Sequence, residues 1–141
     1  MPLGNFFGKS KKPDDNAQPA GGGEVLLDSV HARAEGMPGY AAATVKTERI
    51  AEREGPILVT ELSQAAKSRD HRIILDLAEV YLISSAGIGS LVQLHRACAA
   101  DNGKLVLFGL NRELLELLRI ARLDRMFNIA KSREDAVEAV A

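Results

Sequence analysis

The pattern of apolar and polar residues after Glu24 favours extended chain: Val25-Leu26-Leu27 begin one segment, and Val45 and Thr47 alternate with polar neighbours in a second. Extended segments are predicted at about 25–34 and about 40–50. Between them, residues 36–39 (GMPG) combine the glycines and the proline that favour a tight turn. The two segments are therefore predicted to form a β-hairpin.

From Gly55 onward, helical spacing alternates with short apolar runs. Helices are predicted at about 56–68, at about 86–101, after Asn111 and after Ser132. Buried strands are predicted at 72–77 (RIILDL) and 104–110 (KLVLFGL), with a short strand at 126–129. Strands that alternate with helices favour right-handed crossovers. The sequence thus predicts an α/β fold with a mostly parallel, mixed sheet of four to five strands, an initial hairpin and about four helices.

The ends of these helices carry recognisable capping residues. Asn111 and Ser132 can each accept a hydrogen bond from the first turn of the helix that follows. Asn102-Gly103 is typical of a left-handed C-cap. We expect the following side chains of the second and third helices to face inward: Ile88, Leu91, Val92, Cys98, Ala99, Leu114, Leu117, Leu118 and Ala121.

Residues 1–23 have a different composition from the rest of the chain. Three prolines, a triple glycine and a polar cluster at 9–15 offer little apolar surface to offset the entropy of ordering. We predict a disordered N-terminal tail at 1–23, although Phe6-Phe7 could serve as a docking motif, and a single domain at 24–141.

Composition excludes several classes of function. The 18 basic and 19 acidic residues leave a net charge of -1, so no global field attracts nucleic acid or an anionic membrane. Cys98 is the one cysteine, so a disulfide within the chain is impossible and a thiol-based metal cluster is not expected. An apolar run that could span a bilayer and a signal peptide are both missing, so a cytoplasmic location is expected.

Catalytic chemistry is sparse. His31, His71 and His95 are dispersed and make no metal-ligand spacing, so we expect no metal site. His95 lies on an apolar stripe, where a core histidine is the expected role. Cys98 lies among alanines, which indicates tight helix packing.

The informative stretch is 73–89, where a buried strand leads through a short connector to two serines and a helix. Ser84 or Ser85 can cap that helix with its hydroxyl. A helix N-terminus also favours a phosphate, so the serines suit either a plain cap or a phosphorylation switch. Asp76, near the end of the strand, could orient this segment or cap a turn.

Residues 73–139 resemble the STAS domain of bacterial anti-sigma factor antagonists. The resemblance lies in the strand IILDL at 73–77, the motif ISSAGIG at 83–89, the segment GKLVL at 103–107 and the segment LDRMF at 123–127. In that family the motif is typically Asp-Ser-Ser/Thr-Gly-Leu-Gly, and the serine after the Asp is phosphorylated. The alignment places that serine at Ser85, with Ser84 in place of the Asp and Ala86 in place of the second hydroxyl residue. The loop at 48–52 departs from the family pattern.

The resemblance implies a non-enzymatic, cytoplasmic bacterial phosphoprotein that regulates transcription. Unphosphorylated, it would bind an anti-sigma factor that is also a serine kinase and so free a sigma factor; phosphorylation of Ser85 (second choice Ser84) would end binding, and a serine phosphatase would reset it. The chain would be a monomer or weak dimer without its own cofactor. The implied partner surface comprises Ser84, Ser85, Ala86, Gly87, Ile88, Gly89, Gln93 and Arg96.

Two other functions fit the same sequence. A STAS scaffold could serve a signalling complex or a transporter without sigma-factor control, because function belongs to sites and not to folds. A small enzyme could use Ser85 as a nucleophile, but it would need a histidine base within reach. His71 is predicted at the opposite end of the buried strand, and His95 well over two turns along the helix.

Overall fold

Eight strands and four α-helices follow one another in residues 23–141, the part of the chain that the computed structural model describes. The predicted tail, apart from Gly23, lies outside the described residues. The strands are β1 (Glu24–Asp28), β2 (Ala32–Met37), β3 (Tyr40–Val45), β4 (Arg49–Ile50), β5 (Arg72–Asp76), β6 (Leu82–Ile83), β7 (Lys104–Phe108) and β8 (Asn128–Ile129). The helices are α1 (Glu54–Ala66), α2 (Ser85–Ala100), α3 (Arg112–Ile120) and α4 (Arg133–Val140), and a 3-10 turn (Lys67–Arg69) follows α1.

Six of these strands form one mixed sheet in the order β1-β2-β3-β5-β7-β8. β2 pairs antiparallel with both β1 and β3, whereas β3, β5, β7 and β8 pair in parallel. The predicted hairpin is confirmed as the β2–β3 pair, in which Met37 faces Tyr40 across the turn and Gly39 has a φ of +85°. The α/β class is confirmed, but the predicted count of four to five strands was too low.

The two predicted extended segments are each divided into two strands. The first is broken at Ser29, because its hydroxyl accepts hydrogen bonds from the backbone N–H groups of His31 (3.1 Å) and Ala32 (3.2 Å) and so closes a turn. The second ends its pairing with the main sheet at Val45. Its last residues, β4, pair in parallel with β6 in a separate two-stranded sheet.

The predicted helix ends are confirmed. Asn111 accepts from the N–H of Leu114 (2.8 Å), and Ser132 accepts from the N–H of Asp135 (3.1 Å). At the end of α2, Asn102 has a φ of +61°. The N–H of Gly103 then reaches back to the carbonyl of Cys98 at 2.8 Å, the bond that defines a Schellman motif.

The core lies on both faces of the sheet, as predicted for β5. Ile73 and Leu75 belong to the larger cluster with α1 and α2, while Ile74 joins the smaller cluster under α4. All three side chains are fully buried. None of the helices at 23–141 has both the length and the hydropathy to cross a bilayer.

Two predicted inward residues are exposed, namely Ala99 in α2 and Ala121 after α3. Leu94, which was not predicted, is buried instead. The buried stripe of α2 runs through Leu91, Leu94 and Cys98 at spacings of three and four, which turns Ala99 away from the sheet. Ala121 follows the last turn of α3 as its C-cap.

The contact of Gly55 in α1 with Ser90 in α2 gives a testable packing prediction. A Cβ on Gly55 would lie 2.2 Å from Ser90 Oγ. We expect Gly55→Ala to destabilise the fold by about 1–3 kcal/mol, because a methyl group overpacks the contact. Urea unfolding of Gly55→Ala, Ser90→Ala and the double variant checks this. The double variant should recover part of the loss, and strictly additive effects would contradict the contact.

Candidate partner-binding site at the N-terminus of helix α2

Ser84 caps helix α2. Its backbone is extended (φ -77°, ψ 172°), its hydroxyl accepts from the N–H of Gly87 (3.1 Å), and its carbonyl accepts the first helical hydrogen bond from Ile88 (2.8 Å). These are the features of an N-cap. The sequence left open which of the two serines caps the helix, and the structure assigns the role to Ser84.

Ser85 is the first residue of α2, and its side chain is exposed. The adjacent Ala86 is exposed as well. The free N–H groups and the positive end of the helix dipole concentrate at this position, so added negative charge is favoured there. The arrangement therefore presents a hydroxyl to solvent at a point where a phosphate is tolerated.

The carbonyl of Ile50 holds this corner in place. It accepts a hydrogen bond from the N–H of Ser84 (3.0 Å), and a Cβ on Gly87 would lie 2.0 Å from it. Gly87 is buried, so it admits the chain's own strand β4 and not a partner, which corrects its predicted place on the partner surface. Gly89 is exposed, and no atom of the described residues would touch its Cβ within 4 Å.

The two-stranded sheet anchors the segment before Ser84. The carbonyl of Glu48 accepts from the N–H groups of Tyr81 (2.7 Å) and Leu82 (3.3 Å). The loop that contains Glu48 is itself closed by a hydrogen bond from Thr47 Oγ1 to the carbonyl of Arg49 (2.9 Å). Backbone contacts thus fix the path by which the chain enters α2.

Glu54, at the start of α1, supports the same loop. Its Oε1 accepts from the N–H of Ala51 at 3.1 Å. The hydrogen bond from its own backbone N–H, and then that from Ala51, lower the pKa of the Glu54 carboxyl, assisted by Arg49 and Arg53 and opposed by partial desolvation. The ionised carboxylate is the form that holds the loop.

Two large apolar side chains shortly before the serines are exposed, which was not predicted from the sequence. Tyr81 is 66% exposed and Leu82 is 52% exposed, whereas the next residue, Ile83, is buried. Successive side chains of a strand point to opposite faces, so the burial of Ile83 implies the exposure of Leu82, and this alternation could have predicted it. Tyr81 and Leu82 thus expose apolar surface three to four residues before Ser85 in the chain.

The other predicted partner residues lie along α2. Gln93 and Arg96 are exposed, and Ile88 is half-buried. Ser84 is also half-buried, since its hydroxyl caps the helix. Of the eight residues predicted for the partner surface, Gly87 is the one that is buried.

Neither histidine near the motif in sequence lies close to Ser85. His95 lies almost three turns along α2, about 15 Å down the axis. Its Nδ1 is buried without a partner among the described residues, and its ring meets Phe127 edge to face at 5.7 Å. His71 precedes β5 at the opposite end of the sheet, 3.6 Å from Asp101.

Cys98 is part of the core, as its neighbours predicted. It is buried, and this burial, followed by the nearby negative charge of Asp101, raises the pKa of its thiol to about 11. A thiol with so high a pKa carries almost no thiolate at neutral pH and is a poor nucleophile.

The STAS domain family model matches residues 43–136, more than half of the chain. BtrV of Bordetella bronchiseptica, named an anti-sigma factor antagonist, is 32% identical over 82 residues, which are 58% of this chain and 71% of that protein. The chain therefore belongs to the STAS family, and the expected family is confirmed.

Three solved structures share the fold. An anti-sigma-factor antagonist (STAS) domain protein from Planctomyces limnophilus matches with a TM-score of 0.68 at 18% identity, over 77% of this chain and 97% of that one. Phosphorylated SpoIIAA, a Bacillus cell fate determinant, matches with a TM-score of 0.58 at 15% identity, over 78% and 99%. The murine anion transporter Slc26a9 matches with a TM-score of 0.64 at 18% identity, over 77% of this chain but 18% of the transporter.

The buried Gly87 and the exposed Gly89 of the motif give a matched pair of variants. Gly87→Ala should destabilise the fold by about 2–3 kcal/mol or more, because its methyl group meets a backbone carbonyl that cannot rotate away. Gly89→Ala should instead stabilise it by about 0.5–1 kcal/mol, since alanine favours the helix and meets nothing. Urea unfolding measures both. Equal effects would contradict the packing of Gly87 on Ile50.

The lowered pKa of Glu54 predicts a pH dependence. Stability from this carboxylate is complete above its unfolded pKa near 4.5 and is lost as the pH falls through its lower folded pKa. The stability advantage of wild type over Glu54→Gln should therefore shrink as urea unfolding is repeated from about pH 6 down to about pH 3. Glu52→Gln controls for removal of one charge from this loop. A wild-type advantage that stays constant over this range would contradict the role of Glu54.

Proposed function

We propose that the chain is an anti-sigma factor antagonist whose binding to its partner is ended by phosphorylation at Ser85. In this proposal, the unphosphorylated form binds an anti-sigma factor that is also a serine kinase, which frees a sigma factor, and a serine phosphatase restores the hydroxyl. The observation that carries the proposal is the exposed hydroxyl of Ser85 at the first position of α2, beside a serine that already caps the helix. The name of the Bordetella relative supports the general class.

Charge is the physical basis of the switch. Phosphorylation adds about -1.5 to -2 charges at neutral pH. At the N-terminus of α2 this charge is locally favoured, so the fold should persist. Docking would bury the dianion against a partner surface shaped for a hydroxyl, and an unpaired buried charge costs several kcal/mol. That cost is enough to weaken binding by orders of magnitude.

The surface around Ser85 suits a protein partner. Tyr81 and Leu82 offer exposed apolar area, and tyrosine is enriched among the residues that dominate binding energy at interfaces. Gln93 and Arg96 extend the surface along α2 with polar groups. An apolar centre with a polar rim is the usual composition of such interfaces.

A scaffold role in a signalling complex or beside a transporter is the second candidate. The structural match to part of an anion transporter supports this second candidate. A scaffold would bind its partner equally well whatever the charge at Ser85, so one binding series separates the two functions.

An enzyme that uses Ser85 as its nucleophile is disfavoured by geometry. The two histidines nearest in sequence, His71 and His95, lie at the far end of β5 and about 15 Å along α2. A general base must reach the nucleophile within hydrogen-bonding distance. The STAS domain is, moreover, a regulatory binding fold.

The decisive experiment measures phosphorylation and binding together. Incubation with the cognate kinase and ATP, followed by mass spectrometry of the peptide that contains both serines, should place the phosphate on Ser85. Calorimetry should give affinities within about threefold for wild type and Ser85→Ala, and an affinity at least about tenfold weaker for Ser85→Asp.

Ser84→Ala is the matched control. It should lose about 1 kcal/mol of stability with its cap and still accept phosphate at Ser85. Equal affinities for wild type, Ser85→Ala and Ser85→Asp would remove the switch and favour the scaffold. Phosphate found on Ser84 alone would move the switch to the neighbouring residue.

A further inference from the structure

Asp76 is the last residue of β5 and stands at the start of residues 77–83, which we call the connector because they join β5 to the cap of α2. Its Oδ1 accepts from the N–H of Ala78 at 2.9 Å, and its side chain is 19% exposed. A Cβ on Gly109, which has a φ of +80°, would lie 2.6 Å from the same oxygen. The neighbouring loop therefore leaves room for this carboxylate.

The connector is held by a series of backbone contacts that begins at Asp76. The N–H of Leu77 donates to the carbonyl of Phe108 (2.9 Å), and the N–H of Val80 donates back to the carbonyl of Leu77 (3.1 Å). The N–H of Tyr81 then donates to the carbonyl of Glu48 just before the chain enters the two-stranded sheet at Leu82. The carboxylate of Asp76 closes the first turn of this series, since an Asp side chain commonly accepts from the backbone two residues on.

We propose that Asp76 is a positioning residue for the switch: by holding the N–H of Ala78 it fixes the connector, and so presents Ser85 in the geometry that the partner reads. This inference rests on the proposed function of Ser85. The sequence left open whether Asp76 caps a turn or orients the switch, and in this proposal Asp76 does both.

The ion pair with Arg133 is the secondary contact of Asp76. Arg133 lies 3.5 Å from Oδ2 and its side chain is 51% exposed, and exposed pairs of this kind contribute little. Its guanidinium also lies over the ring of Phe108, 5.1 Å from the centroid, which holds it independently of the carboxylate. The hydrogen bond to Ala78, and not the charge, is the contact that positions the connector.

The test compares Asp76→Ala, Asp76→Asn and Arg133→Gln in the full chain by amide hydrogen exchange. Loss of one hydrogen bond corresponds to about a tenfold change. Asp76→Ala should therefore raise exchange about tenfold at Tyr81, Leu82 and Ser84, while the amides of β7 stay unchanged. Asp76→Asn, which keeps the acceptor oxygen, should restore protection, and Arg133→Gln should leave it intact.

A second measurement joins the connector to the switch. With the kinase that phosphorylates wild type at Ser85, Asp76→Ala should raise KM about tenfold with kcat within about twofold, and Asp76→Asn should restore KM. If Asp76→Ala does not fold, Asp76→Ser, which keeps a shorter acceptor, should show the same changes to a smaller extent.

Unchanged exchange in Asp76→Ala, or equal loss in Asp76→Ala and Asp76→Asn, would overturn the positioning role. Raised exchange with an unchanged KM would also overturn it, because the connector would then be structural only. The exchange experiment needs no partner. A wild type that no kinase phosphorylates would therefore refute the proposed function without altering the exchange result.

Discussion

The backbone carbonyl of Ile50 is the contact on which the presentation of Ser85 depends. It receives the N–H of Ser84 and lies against Gly87, so one oxygen fixes both the cap and the first turn of α2. Ile50 is itself buried and belongs to a strand of two residues. The backbone beneath the exposed hydroxyl is therefore fixed, and in the proposed complex no loop would have to be ordered on binding.

In the proposed switch, the charges at this corner let phosphorylation change binding without disturbing the fold. Ser84 caps α2 with a neutral hydroxyl, where the STAS motif typically has an Asp. The positive end of the helix dipole is thus left without a carboxylate at the cap, and a phosphate on Ser85 would meet that field without a competing negative charge. The carboxylates nearby have other tasks, since Glu54 and Asp76 hold backbone N–H groups of the two flanking segments.

Much of this organisation was predictable from sequence because it is set by local chemistry. Strong apolar runs predicted β5 and β7, and single residues such as Asn111 predicted helix starts. The division of the first extended segment was not predicted, because it depends on a side-chain turn at Ser29 that apolar periodicity does not report.

The candidate site was predicted less completely than the fold. The motif identified Ser85, but the burial of Gly87 follows from the approach of β4, a strand more than thirty residues earlier in the chain. The exposure of Tyr81 follows from the same two-stranded sheet. Contacts between segments distant in sequence decide these positions, and a single sequence does not reveal which segments will meet.

The claim that a charge on Ser85 alters the surface and spares the architecture is tested most directly by amide chemical shifts of the folded protein before and after phosphorylation at that residue. The account predicts changes confined to the start of α2 and to the two-stranded sheet of β4 and β6, with β5 and β7 unaltered. Changes that spread through β5 and β7, or a loss of dispersed resonances, would contradict it.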